Sequence, residues 1–156
     1  MKRDFSRYKI EMFLPQFPRS FDPTYNEWEE VFKSIDFSKY DTIFTNSLWW
    51  IMTIRYLYEN NIQVNNLVLT VPWVSFSTMR WEKPNVSEIF ETLQNKDISM
   101  LSKRSIVISV LDDEVVPFSS GQDLSNRLNA KFILLNEGNH KLEKKNDFIA
   151  NIISKL

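Results

Sequence analysis

Short apolar runs alternate with segments of helical periodicity along the whole chain, and this alternation constrains the fold more than any other feature. Five runs have the length of a β-strand, namely residues 8–14, 41–46, 66–74, 104–111 and 130–137. Three of them are apolar enough to be buried on both faces, as strands of a parallel sheet are. The pattern predicts an α/β three-layer sandwich with a mostly parallel sheet of about five strands.

Helical periodicity occupies the intervals between these runs. Four helices are predicted, over residues 22–35, 47–61, 118–128 and 147–156. The first has Asp22 as its N-cap and Pro23 at its first position. Its apolar stripe consists of Tyr25, Trp28, Phe32 and Ile35. The second is apolar nearly all round, which predicts a helix pressed against the middle of the sheet.

Residues 75–103 interrupt the alternation. A chain of 156 residues fits a single domain, so we interpret residues 1–156 as one α/β domain and this segment as an insertion within it. An insertion after a central strand of such a fold lies over the carboxyl ends of the strands, where ligands bind. Residues 75–103 are therefore a candidate lid.

Composition excludes several classes of function. Nineteen basic against 20 acidic residues give a net charge of -1, which provides no field to attract nucleic acid or an anionic membrane. The chain has no cysteine, which excludes disulfides and thiolate metal sites. The two glycines, Gly121 and Gly138, are too few and too far apart for a dinucleotide-binding fingerprint or a P-loop. We expect no cofactor, no metal and no nucleic-acid partner.

The location of the protein is also an expectation from composition. The basic start is not followed by the apolar region of a signal peptide. No run approaches the roughly 18 apolar residues of a membrane span. Together with the lack of cysteine, which fits a reducing compartment, these features predict a cytoplasmic protein without a membrane partner.

Residues of the three types that make up an acyl-transfer triad, serine, aspartate and histidine, stand after predicted strands. Ser47 follows the second apolar run, Asp112 and Asp113 follow the fourth, and His140, the single histidine, follows the fifth. Parallel strands bring these three loops to one edge of the sheet, where an imidazole can take the serine proton and a carboxylate can orient the imidazole. The chain order Ser, Asp, His is that of α/β-hydrolases.

Several motifs spread over residues 8–156 match one known family: "MFLPQFP", "NEWEEVF", "TNSLWW", "LVLTVPW", "VLDDEVVPF" and "EGNH". On these motifs the chain resembles the small α/β-hydrolases related to retinoblastoma-binding protein 9 and to the bacterial YdeN-type esterases, shortened at its start so that the first family strand is missing. The resemblance implies that Ser47 is the nucleophile, Asp113 the acid and His140 the base. It also implies that the backbone amide of Leu48 is an oxyanion donor.

Two departures from the family pattern keep a second hypothesis open. In such a turn, the second residue before the nucleophile and the second residue after it are small. In this chain these positions hold Thr45 and Trp49. In the family, the loop after the first strand supplies one oxyanion donor, and that strand is missing here. Loss of one such donor typically costs about 10² to 10³ in rate. The chain is therefore either an esterase-type serine hydrolase for a small ester, thioester or amide, or a degenerate hydrolase fold that binds a protein or a ligand. Taken alone, Ser47 is an ordinary residue for starting a helix.

Three residues are candidates for the wall of an acyl pocket. Trp73 follows a predicted strand, Trp81 lies in the insertion, and Asn46 precedes the candidate nucleophile. Core or lid packing is the alternative for the two tryptophans. The missing strand also predicts an unpaired sheet edge, so a homodimer in which a second copy completes the sheet is a further expectation.

Overall fold

The computed structural model describes residues 5–18, 24–73, 91–142 and 145–156. Its strands form one sheet in the order β1-β2-β3-β4, with every neighbouring pair parallel. The strands are β1 Thr42–Asn46, β2 Val64–Thr70, β3 Ser102–Val110 and β4 Lys131–Leu135. Four of the predicted strands are confirmed, and the expected parallel α/β architecture with them.

The helices agree with the predicted ones to within a few residues. They are α1 Tyr25–Lys33, α2 Trp49–Glu59, α3 Phe118–Arg127 and α4 Asn146–Ile153. Two short 3-10 turns, Phe37–Lys39 and Ser99–Leu101, precede β1 and β3. The first helix begins later than predicted, since its N-cap is Thr24 and not Asp22. Asp22 and Pro23 themselves lie outside the described residues.

Two hydrophobic cores lie on opposite faces of the sheet, because successive side chains of a strand point to opposite sides. In β2, Leu67 and Leu69 join the first core, while Val68 between them joins the second. Helices α1, α2 and α3 contribute to the first core and α4 to the second. This arrangement gives the three layers. The predicted stripe of α1 faces the first core, where Trp28 and Phe32 are buried.

Residues 8–14 are not a strand, which corrects the prediction for this run. The amides of Tyr8 and Ile10 donate to the carbonyl of Phe5, and Lys9 has a φ of 57°, so the chain turns here. Farther along, Ile10 and Met12 pack on the second core without entering the sheet. Core packing thus accounts for Ile10 and Met12, whereas Phe13 and Leu14 are exposed. In the described residues, the sheet has four strands instead of about five.

Strand β1 lies at an edge of the sheet, and half of its backbone groups face away from β2. Asn66 donates its amide to the Asp41 carbonyl at 3.1 Å, and Ser47 donates its amide to the Thr70 carbonyl at 2.9 Å. Backbone groups alternate in direction along a strand, so those of Thr42, Phe44 and Asn46 point outward. No segment within the described ranges forms backbone hydrogen bonds to this outer edge.

The expected homodimer would use these outward groups, and we predict that it forms by antiparallel pairing of β1 with β1 of a second copy. Thr42→Pro removes one outward amide at the first position of the strand, where proline is tolerated, and Thr42→Val keeps that amide. In sedimentation equilibrium, wild type and Thr42→Val should dimerise more tightly than Thr42→Pro. A wild type that stays monomeric at all concentrations would contradict this prediction.

Candidate active site

Ser47 occupies the turn between β1 and α2 in a left-handed conformation. Its φ is 53°, a region that residues other than glycine rarely adopt. The turn is held because the Ser47 amide donates to the carbonyl of Thr70 at the end of β2, at 2.9 Å. Backbone strain of this kind persists only where the surrounding structure fixes it, and it is common at functional sites.

The structure brings together the three residues that the sequence singled out. The Ser47 Oγ lies 2.9 Å from His140 Nε2, and His140 Nδ1 lies 2.9 Å from Asp113 Oδ2. One tautomer satisfies both contacts: Nδ1–H donates to the carboxylate, and unprotonated Nε2 accepts from the serine hydroxyl. The loops after β1, β3 and β4 supply the three side chains, as the parallel topology predicts. This is the geometry of a nucleophile, a base and a group that orients the base.

The Asp113 carboxylate is almost completely buried, with 1% of its side chain exposed, against 24% for His140. Burial opposes its ionisation, but hydrogen bonds from His140 and from the amides of Val116 and Val115 outweigh burial and lower the pKa of Asp113. Both amides donate to Oδ1, at 2.9 and 2.8 Å. Asp113 is therefore held ionised beside the imidazole.

Asp112 has a different place in the same loop pair. Its Oδ1 accepts a hydrogen bond from the amide of Asn139 at 2.9 Å, which ties the loop after β3 to the loop that carries His140. Of the two aspartates, Asp113 is the one that contacts the imidazole. The choice between them, which the residues alone left open, follows from this geometry.

The two bulky flanks of Ser47 are both accommodated. The indole of Trp49 stacks on that of Trp28 in α1, with centroids 4.1 Å apart and planes 7° from parallel, so it packs in the first core. Thr45 is buried, and its Oγ1 has no hydrogen-bond partner in the part of the chain that the structure describes. Leaving a buried hydroxyl unsatisfied typically costs about 1–3 kcal/mol. The cost of the unusual flanks therefore lies at Thr45, while Trp49 gains a stacking partner.

Thr70 is a residue of the site that sequence reasoning missed. It is fully buried, and its hydroxyl donates to Asn46 Oδ1 at 2.7 Å and lies 3.3 Å from the carbonyl of Thr45. Its own carbonyl accepts from the Ser47 amide. Thr70 thus contacts all three residues of the turn, Thr45 and Asn46 through its hydroxyl and Ser47 through its backbone carbonyl. A threonine at the end of a strand carries no sequence signal of such a role.

The remaining predicted site residues are placed only in part. The Asn46 carboxamide is engaged by Thr70, and the Trp73 carbonyl accepts from Trp50 Nε1 at 2.9 Å. The amide of Leu48 lies at the start of α2, where helix amides lack helical acceptors. Trp81 and most of the candidate lid, residues 74–90, lie outside the described residues. The pocket therefore stays a prediction.

Within the described residues, no group of three or more His, Asp or Glu side chains is arranged to hold a metal ion. None of their helices combines the length and the apolar character that crossing a membrane requires.

The Asp113 environment predicts how stability depends on pH. Because the folded-state pKa of Asp113 lies below its unfolded value of about 3.9, its contribution to stability is present above that value and is lost as pH falls through the folded pKa. Asp113→Asn removes this contribution. We expect the free energy of unfolding of wild type to exceed that of Asp113→Asn at pH 6, and the gap to narrow below about pH 4.

Chemical denaturation from pH 6 to pH 2.5 measures this gap. The control is Asp123→Asn on the exposed side of α3, whose carboxylate makes none of these hydrogen bonds. A gap for Asp113→Asn that does not change with pH would contradict the prediction.

Comparison with known proteins supports the fold. No family model matches the sequence, and a search of curated proteins finds no match. Among solved structures, the chain is similar to the ydeN gene product of B. subtilis, with a TM-score of 0.75 and 18% identity over 99% of this chain and 86% of that one. It is also similar to a monoacylglycerol lipase from Paleococcus ferrophilus, with a TM-score of 0.68 and 11% identity over 88% of this chain and 76% of that one.

A third similar structure is that of an alpha-beta serine hydrolase homologue from Coxiella burnetii. Its TM-score is 0.58, with 17% identity over 84% of this chain and 57% of that one. Identities this low show the fold and leave function to the site. The chain has an α/β-hydrolase-like fold.

Proposed function

We propose that the protein is a serine hydrolase of esterase type, within the small α/β-hydrolases related to retinoblastoma-binding protein 9 and the YdeN-type esterases. The observation that carries the proposal is the continuous hydrogen-bond chain from Ser47 through His140 to Asp113, with both links at 2.9 Å. The YdeN structure supports the family at the level of fold.

The reaction follows from this geometry. Ser47 Oγ attacks the acyl carbonyl carbon while its proton passes to His140 Nε2, and the resulting imidazolium is stabilised by the buried Asp113 carboxylate. The imidazolium then gives the proton to the leaving oxygen, nitrogen or sulfur, which leaves an acyl-serine. His140 next takes a proton from water, and the hydroxide formed attacks the acyl carbonyl carbon. The bond from that carbon to Ser47 Oγ then breaks, the imidazolium returns its proton to Oγ, and the acid leaves.

The developing oxyanion would be stabilised at the start of α2. The Leu48 amide follows the nucleophile directly, and the amino-terminal end of a helix carries a partial positive charge. Preorganised donors of this kind are often the largest single electrostatic contribution to acyl transfer. Leu48 is thus the oxyanion donor that we propose.

Small esters, thioesters or amides are the substrates that we propose. Two of the similar structures are those of a monoacylglycerol lipase and of the esterase domain of a Rhodothermus marinus protein, and they favour an ester over an amide as the substrate. We place the reaction in the cytoplasm, on the composition of the chain and its lack of cysteine.

A second candidate function is that of a binding module with a degenerate hydrolase fold. One observation favours it: β1 is an edge strand, and no described strand lies on its outer side, where the family carries the loop for a second oxyanion donor. A site with one donor would still react with a strong electrophile but would turn over esters slowly. Labelling and turnover therefore have to be measured separately.

We predict that a fluorophosphonate probe labels wild type and the control Ser119→Ala, but not Ser47→Ala. Ser119 is an exposed serine on α3 and shares none of the contacts of Ser47. Intact-protein mass spectrometry after treatment gives the readout. An unlabelled wild type would overturn the serine hydrolase, while labelling without hydrolysis of short-chain nitrophenyl esters would favour the binding module.

We also predict that Thr70 positions the nucleophile. Thr70→Val keeps the shape of the side chain but removes the hydroxyl that contacts Asn46, whereas Thr70→Ser keeps the hydroxyl. Because small displacements of reacting groups can cost up to about 10² in rate, we expect Thr70→Val to lower kcat about tenfold with little change in KM, and Thr70→Ser to restore it.

Both variants should be checked for native thermal unfolding before the rates are compared. A Thr70→Val enzyme with the kcat of wild type would show that the hydroxyl does not position Ser47. So would a Thr70→Ser enzyme that is as slow as Thr70→Val.

A further inference from the structure

We propose that a groove at the amino-terminal end of the sheet binds a small organic polyanion. The groove has a volume of about 520 Å³ and lies between the first half of β3, the start of β4 and the end of α4. Strand β3 covers about 26 Å from Ser102 to Val110 at about 3.3 Å per residue, and Asp113 lies beyond that far end. A ligand in this groove therefore does not reach the triad.

Four basic residues line the groove: Lys103, Arg104, Lys131 and Lys155. No Asp or Glu side chain is among the described residues that line it, although the chain as a whole has 20 acidic residues and a net charge of -1. In the described part of the chain, the three lysines form no ion pair. Against these four basic residues, the described lining holds one anionic group, the main-chain carboxylate of the last residue, Leu156, so positive charge is in excess there.

Arg104 is fixed in place before any ligand binds. Its Nε donates to Asn66 Oδ1 at 2.8 Å, and its Nη2 donates to a main-chain carboxylate oxygen of the last residue, Leu156. Asn66 is only 2% exposed, and its own Nδ2 donates to the Asp41 carbonyl at 2.9 Å, which sets the direction of its oxygen. A guanidinium carries five N–H donors, so Arg104 keeps donors for an anion after these contacts.

Neutral polar and apolar groups complete the lining. Ser102 and Ser105 contribute hydroxyls, which lie 2.5 Å apart, and Ile106, Ile133 and Ile152 contribute aliphatic carbon. The volume falls in the usual range of small-molecule sites, about 300–1,000 Å³. No aromatic side chain is among the described residues that line the groove, so these residues offer no stacking platform of the kind found in single-stranded nucleic-acid sites.

These properties together define the ligand class. Several separate ammonium groups suit an anion with two or more phosphate or carboxylate groups, and the fixed guanidinium suits one group held through two oxygens. The aliphatic lining suits a small carbon skeleton between the anionic groups. The proposed ligand is therefore a small bisphosphate or polycarboxylate, and this inference does not rest on the proposed hydrolase function.

Isothermal titration calorimetry at constant ionic strength tests the site. Inorganic pyrophosphate represents the phosphate ligands and tricarballylate the carboxylate ligands. We expect at least one of them to bind a single site with a Kd of about 1 mM or tighter. Lys131→Gln/Lys155→Gln should weaken that binding at least about tenfold. The matched control, Lys39→Gln/Lys96→Gln, changes the net charge equally outside the groove and should stay within about twofold.

Three results would overturn the proposal. The first is no saturable binding of either probe up to about 10 mM, and the second is equal weakening of binding in the control variant. The third is an oligonucleotide or acidic peptide that displaces the probe and binds about 100-fold more tightly than the probe does. Ser47→Ala, titrated in parallel, should bind like wild type, because the two sites lie at opposite ends of β3. Failure of the proposed hydrolase function would therefore leave anion binding at the groove untouched, and the two outcomes can be told apart.

Discussion

The parallel pairing of β1 with β2 is the constraint on which the site depends. It brings Thr70 beside the turn at the end of β1, where the Thr70 carbonyl holds the Ser47 amide and its hydroxyl holds Asn46. These contacts hold Ser47 in a strained left-handed backbone conformation. The same parallel order continues through β3 and β4, so the loops that carry Asp113 and His140 meet Ser47 at one edge of the sheet.

Much of this arrangement could be predicted from the sequence because burial and chain order determine it. Strands buried on both faces give continuous apolar runs, and parallel strands bring their carboxyl-terminal loops to one edge. The strand predicted over residues 8–14 is wrong because an apolar run does not by itself specify the backbone conformation. Ile10 and Met12 are partly buried on the second core, while the backbone of residues 8–10 follows a turn closed at Phe5, a difference that no pattern of apolar residues records.

The parts that could not be predicted depend on contacts between residues distant in the chain. Trp49 looks too large for its place beside the nucleophile until α1 supplies Trp28 as a stacking partner. Thr70 acts through hydrogen bonds to the neighbouring strand. The basic groove combines residues from β3, β4 and α4, and a net charge of -1 conceals it by averaging over the whole chain.

His140 is the single imidazole of the chain, so its proton resonances are unambiguous, and NMR tests the convergence of the triad most directly. We predict a ring proton on Nδ1, in slow exchange with water because it is bound to the buried Asp113 carboxylate, and loss of this signal in Asp113→Ala. A ring with a proton on Nε2 alone, or an Nδ1 proton that exchanges with water as fast as in a small imidazole, would contradict the prediction.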